Sequence, residues 1–190
     1  MSLKAPKFVA SVRQLIYWQY ANLIAKSAGF EGNWGFTTSR YKKLLSGEMQ
    51  WSSSIRDYEQ ALEMGRVCVY CGAKKDLSMD HIIPISKAGV DPRIAHLLNS
   101  VDNCICACKK CNSSKGDRDV FEWFGHERLD EIPKLVFSKF LKLVYALHET
   151  QGTLDLRDPN MDGVLDIYDL GTVITNLISK LSMKAGKKGP

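Results

Sequence analysis

Apolar residues recur at helical spacing from Val9 to Ala28, where Val9, Val12, Ile16, Tyr20, Leu23 and Ile24 share one side and Gly29 follows as a stop. The spacing predicts an amphipathic helix. Residues 30–39 are rich in glycine and aromatics and read as a loop, and Ser52 to Glu63, opened by serine caps and closed before Gly65, reads as a second helix. A third is expected from Asp130 to His148, with Ile132, Leu135, Val136, Phe140, Leu143, Val144 and Leu147 on a wide apolar face and Pro133 in the tolerated first turn. Ile167, Leu170, Ile174, Leu177, Ile178 and Leu181 predict a last one over Ile167 to Leu181. Between these helices, from Arg66 to about Gly125, the periodicity gives way to short β-prone runs, and all six cysteines fall there.

Composition fits this pattern and excludes several classes. With 190 residues, 45% hydrophobic and 25% charged, the chain suits one compact domain with appendages or two small ones, and is neither collagen-like nor wholly disordered. Its apolar runs fall short of the ~20 residues of a membrane helix, and the stretch after Met1 lacks the unbroken apolar segment of a secretory signal. A cytoplasmic protein without membrane contact is expected. The net charge of +5 is uneven: residues 1–66 carry nine basic and five acidic side chains, and the rest of the chain is near balance. Arg40, Lys42 and Lys43 lie beside Trp34, Phe36 and Tyr41, a cluster that suits a nucleic-acid backbone or, equally, a solvated surface.

Cys68-Val-Tyr-Cys71 and Cys108-Lys-Lys-Cys111 are two C-x2-C units. Two thiolates on one tight turn can reach a single Zn²⁺ at ~2.3 Å each, and a second such turn closes a tetrahedral structural site. Free buried thiols or a disulfide are the alternatives, the latter disfavoured without a secretion signal. Cys104 and Cys106 alternate as a strand requires and are expected in the core. A site closed by four thiolates has no open position for a substrate, so the chemistry must lie elsewhere.

Candidates for that chemistry are Asp80-His81, Asn103 and Cys111-Asn112-Ser-Ser-Lys115-Gly-Asp-Arg118. In order and spacing, Cys68-x2-Cys71, Asp80-His81, Asn103 and Cys108-x2-Cys111-Asn112 resemble the HNH endonucleases of the ββα-metal class, in their zinc-stapled branch, over residues 66–120. The resemblance implies that His81 is the general base and that Asp80 and Asn112 are the two protein ligands of one catalytic Mg²⁺ or Mn²⁺. It also implies that Asn103 hydrogen-bonds across the loop to fix the histidine, and that DNA, taken here as double-stranded, is cut to 3′-hydroxyl and 5′-phosphate ends. Histidine suits the first role because it exchanges a proton near neutral pH, and oxygen donors suit a hard ion. Lys115 and Arg118 are candidate phosphate contacts or solvated helix charges. His96, His126 and His148 lack the adjacent acid and downstream Asn spacing of His81, so surface or packing roles are expected.

The expected architecture is α+β: a mainly helical chain around a small ββα-metal core stapled by the four-cysteine zinc site. Strands near Leu77–His81 and Asn103–Ala107 would precede a short helix from Lys109 to about Asp117. The segments are 1–65, helical and DNA-contacting; 66–127, the nuclease core; 128–183, C-terminal helices; and 184–190, a flexible basic tail.

A second pattern stands near the C-terminus. Asp158, Asn160, Asp162, Asp166 and Asp169 occupy positions one, three, five, nine and twelve of a loop with Gly163 at six, and Val164 would add its carbonyl at seven. Aspartate at twelve makes it resemble a single dockerin half more than an ordinary EF-hand. It reads either as a Ca²⁺ loop with room for a protein partner, or as an acidic turn capping the last helix. Three functions are thus in contention: a metal-dependent endonuclease, a zinc-stapled nucleic-acid-binding module without catalysis, and a scaffold for a calcium-dependent partner.

Overall fold

The computed structural model describes residues 5–50, 67–88 and 91–174. Helix α1 spans Val12–Ser27 and is capped by the Ser11 hydroxyl, which accepts from the Gln14 N–H. The N–H groups of Val12 and Arg13 donate to the carbonyls of Leu156 and Leu154, so a distant loop satisfies the start of the helix. α1 is not amphipathic in the expected sense. Besides the apolar residues at helical spacing, Leu15, Trp18, Gln19, Ala21 and Ala25 are also buried, because partners enclose the helix on several sides.

The stretch read as a loop holds the start of α2, Trp34–Leu45. Asn33 caps it, its side chain accepting from the Phe36 N–H at 2.9 Å. The helix predicted over Ser52 to Glu63 lies outside the described residues. The helix predicted from Asp130 begins later: a 3₁₀ segment, His126–Glu131, comes first, and Pro133 becomes the N-cap of the long helix Lys134–Gln151. Of the C-terminal helix, the described part is a 3₁₀ turn, Ile167–Gly171, followed by helical residues to Ile174; the remainder lies outside the described residues.

The cysteine-rich centre follows the expected order. Strand β1 is Leu77–His81 and β2 is Cys104–Cys108, paired antiparallel with Asp80 opposite Ile105 and His81 opposite Cys104. The crossover between them carries a 3₁₀ turn, Ile85–Ala88, helix α3, Pro92–Leu98, and a second 3₁₀ turn, Val101–Asn103. Short helices α4, Lys109–Lys115, and α5, Val120–Phe124, follow β2, and the long Lys134–Gln151 helix is α6. Cys104 and Cys106 are half-buried rather than core: the inward positions of β2 belong to Ile105 and Ala107.

One apolar cluster draws on all three sequence segments, including Ile16 and Tyr41, Ile83 and Ile105, and Phe140 and Leu170. The crossover between the strands packs on α6, through α3 and the Val101–Asn103 turn. Lys139 of α6 reinforces this by donating to the Cys104 carbonyl at 2.8 Å. The buried Lys87 ammonium is held by the carboxylates of Asp119 and Glu122, fixing the turn after β1 to the start of α5.

Candidate metal centre and cleft

Local backbone chemistry builds the thiol cluster. Cys68-Val-Tyr-Cys71 forms a knuckle in which the Gly72 N–H donates to the Cys68 carbonyl and the Cys68 N–H to the Ala73 carbonyl, each at 2.8 Å. Gly72 has φ of 73°, a left-handed conformation that glycine adopts without strain. The Val69 N–H donates to the Cys106 carbonyl at 2.9 Å, laying the knuckle along β2. Cys108 ends β2 and caps α4, its sulfur accepting from the Cys111 N–H.

As a result the four sulfurs of Cys68, Cys71, Cys108 and Cys111 lie within 4.8 Å of one another, with Cys71 Sγ 3.7 Å from Cys108 Sγ. Tetrahedral ligands at ~2.3 Å from an ion are separated by ~3.8 Å, so the spacing fits zinc and does not fit a disulfide. Burial pushes the Cys68 thiol up, but backbone N–H donors of Cys108, Cys71 and Tyr70 outweigh it and bring it down to about 7. Cys111 moves the other way, raised by burial and by the neighbouring sulfurs. Crowded thiolates repel one another, and a divalent cation removes that penalty. Among the described residues this is the one group of three or more His, Cys, Asp or Glu side chains gathered closely enough to hold an ion.

Next to the knuckle, Asp80, His81 and Asn112 line a single cleft of about 240 Å³, together with Met79, Pro84, Ser86 and Asp117. Asp80 is buried and His81 half-buried, as alternation at the end of β1 requires. Asn112 sits one turn into α4, its Nδ2 donating to Ser78 Oγ at 3.2 Å and to the Met79 carbonyl at 3.1 Å. That leaves the Asn112 side-chain oxygen as an acceptor. An oxygen donor set of this kind suits a hard divalent ion.

Asn103 is fully buried. Its Oδ1 accepts from the Ile83 N–H at 2.9 Å, and its Nδ2 donates to the carbonyls of Ile83 at 2.8 Å and Leu98 at 2.7 Å. The Asn103 carbonyl also accepts from the Ile82 N–H at 2.9 Å. The chain leaving His81 is thereby clamped on both sides. Asn99, four residues earlier, caps the end of α3 and bonds its own helix at the Ala95 carbonyl.

Two side chains weighed as phosphate contacts or solvated charges are engaged by the protein itself, Lys115 within the lining of this same cleft. Lys115 is 1% exposed; its ammonium donates to Asp80 Oδ1 at 3.0 Å and to the His81 carbonyl at 2.5 Å, so it faces the interior. Arg118 is exposed, but its guanidinium folds back on the last carbonyls of α4, at Lys115 and Ser114, as a helix-end cap. Composition missed Tyr70, whose hydroxyl donates to Asp80 Oδ2 at 2.9 Å. Burial and the Asp80 charge raise the Tyr70 phenol strongly, keeping it a neutral donor. Both Asp80 oxygens thus have a protein partner. Lys115 lies three residues after Asn112, on the same face of α4, but its partner Asp80 is brought to it only by the fold.

Of the remaining candidates, Arg40 stacks on the Phe36 ring at 4.6 Å, Lys43 pairs with Glu48, and Lys42 is exposed. In the C-terminal loop Asp158 accepts from the N–H groups of Asp162 and Gly163, and Asn160 Oδ1 from that of Asp162. Asp169, fully buried, accepts from the N–H groups of Asn160 and Asp166, while Asp166 caps the following 3₁₀ turn and Val164 donates its N–H to Asp162. His148 is a packing residue: buried, with Nδ1 2.8 Å from Thr153 Oγ1 and Nε2 3.3 Å from the Leu170 carbonyl. A carbonyl only accepts, so the proton sits on Nε2. No described helix is long and apolar enough to cross a membrane.

Comparison with known proteins agrees with this centre. The HNH endonuclease family model matches residues 68–118. A Bacillus subtilis protein named as the SPbeta prophage-derived HNH endonuclease YoqL is 34% identical over 102 residues. That alignment covers 49% of this chain and 39% of the relative, so the similarity spans well under half of the longer protein. No solved structure matches the chain significantly.

Proposed function

We propose that the HNH endonuclease domain at residues 68–118 hydrolyses DNA phosphodiester bonds in a divalent-ion-dependent reaction, with double-stranded DNA as the substrate. One observation carries this assignment: His81, Asp80 and Asn112 border one cleft, next to a strand and helix that also carry cysteines of the four-sulfur cluster. The cysteines would hold zinc as a structural staple. Asp80 and Asn112 would hold Mg²⁺ or Mn²⁺, which when bound supplies positive charge for the scissile phosphate and the leaving oxygen. His81 removes the proton from the attacking water at its ring nitrogen, free for that task because no described residue hydrogen-bonds its imidazole. Asn103 keeps the imidazole aimed by clamping the backbone two residues downstream. Arg40, Lys42, Lys43 and Arg118 lend the surface positive charge for the DNA backbone.

The loop at residues 158–169 is assigned Ca²⁺ in the same proposal, with Asp158, Asn160, Asp162, the Val164 carbonyl, Asp166 and Asp169 as donors. The side chains of Asp158, Asn160 and Asp169 turn inward on the loop backbone, and the loop's carboxylates would have to draw closer together on binding, since among the described residues only the four sulfurs stand close enough to hold an ion as they are. A calorimetric titration that evolves no heat at about millimolar Ca²⁺ removes this part.

The engagement of both Asp80 oxygens by Lys115 and Tyr70 favours a second assignment, a zinc-stapled nucleic-acid-binding module without catalysis. Supercoiled plasmid incubated with the purified protein in Mg²⁺, Mn²⁺ or EDTA separates the two. Nicked and linear products that need the ion and vanish with EDTA are expected. Retarded migration with no strand breaks under any ion overturns the nuclease assignment in favour of the binding module.

A further inference from the structure

Resting on the nuclease assignment above, we propose that Lys115 is a positioning residue and the site's internal counter-cation, so that the divalent ion is held firmly only once a DNA phosphate is present. Two features of its placement carry this. First, a single ammonium, 1% exposed, spans from α4 to β1 and contacts both members of the Asp80-His81 pair, at the carboxylate of one and the carbonyl of the other. Because Asn112 lies one turn earlier on the same helix, this link sets how far the Asn112 oxygen stands from Asp80 and His81. The Tyr70 hydroxyl holds the other carboxylate oxygen, so Asp80 has little freedom to rotate.

Second, the two proposed ligands carry no net charge once Lys115 is counted. Asp80 contributes one negative charge and Lys115 cancels it at 3.0 Å, while Asn112 is neutral; Asp117, which also lines the cleft, is exposed, so water screens its charge. A divalent ion entering the free protein meets oxygen donors with no net negative charge between them, whereas each further carboxylate or phosphate oxygen raises its affinity. The missing negative charge is that of the substrate backbone. Lys115 therefore makes ion binding and DNA binding cooperative, a coupling that acts equally in both directions. Without DNA the ammonium keeps the buried Asp80 charge paired, which avoids the penalty of an isolated buried carboxylate.

The test is Mn²⁺ binding followed by electron paramagnetic resonance on the zinc-loaded full chain carrying His81→Ala, with and without an uncut duplex. The site's share of bound Mn²⁺ is the part removed by Asn112→Ala. Affinity about tenfold or more higher with duplex is expected, the order that one added unit of charge supplies at close range. Lys115→Met should tighten Mn²⁺ binding in the absence of DNA and, with His81 intact, lower kcat at saturating ion because the tether is gone; a purely structural lysine would not raise ion affinity. Equal affinity with and without duplex overturns the proposal even if Lys115→Met fails to fold, and so does an unchanged affinity in a folded Lys115→Met. In both cases ion-dependent cleavage by the parent protein leaves the nuclease assignment standing. Absence of the Asn112-dependent Mn²⁺ in either state, with no cleavage by the parent, overturns both.

Discussion

Replacing Asn103 with leucine removes three hydrogen bonds while keeping side-chain volume nearly constant. The partners left behind are the Ile83 N–H, the Ile83 carbonyl and the Leu98 carbonyl, and Ile83 and Leu98 are both fully buried. An apolar side chain of similar size leaves water no room to replace the amide. Each stranded buried group costs about 1–3 kcal/mol, so the three together should cost about 3–9 kcal/mol, a large share of the ~5–15 kcal/mol that holds a domain folded. Asn103→Asp sharpens the test. It keeps an acceptor for the Ile83 N–H but turns an oxygen toward two carbonyls and buries a charge, so it should cost at least as much as leucine. Urea unfolding followed by tryptophan fluorescence measures both, the midpoint falling with an unchanged slope. A loss under about 1 kcal/mol for Asn103→Leu would show that the clamp is not under load, and the account of how His81 is held would fail with it.

Three further outcomes follow from other buried groups. Burial holds the His148 imidazole down at about 4, whereas the unfolded chain protonates it near 6.5. Its stabilising contribution is therefore complete above about pH 6.5 and drains as pH falls toward 4, by about 2 kcal/mol at pH 5; thermal melts should show a smaller loss between pH 7 and 5 for His148→Gln than for the parent, and identical losses would refute the assignment. Cys108→Ser with Cys111→Ser should release zinc, measured as metal per chain, and lower the melting temperature; an unchanged melt would show that the sulfurs are no staple. Lys87→Met leaves the buried Asp119 carboxylate without its cation and should cost about 3 kcal/mol in the same urea assay, against near zero if the pair is solvated.

The chemical centre was largely legible because its signals are local. Two C-x2-C turns, an Asp-His pair and alternating residues place β1 over Leu77–His81 and α4 directly after Cys108, and the structure has both there. What escaped was set by tertiary contact. The Gly- and aromatic-rich stretch hid the start of α2 because its helix signal is one cap, Asn33, rather than an apolar stripe. The burial of α1 on several sides depends on α2, α6 and the Leu154–Leu156 loop, none of which its own periodicity encodes. Lys115 misleads for a similar reason. A lysine on a short helix reads as a surface charge, and only the fold brings a buried carboxylate within reach to take it inside.

The central claim concerns the imidazole in the cleft, and cleavage of supercoiled plasmid by the parent and by His81→Ala, side by side at saturating Mn²⁺, tests it most directly. Loss of strand breaks in His81→Ala, with zinc content and melting temperature unchanged, is the expected result. Cleavage by both proteins at the same rate would contradict it, placing the activating base, or the activity itself, outside this site.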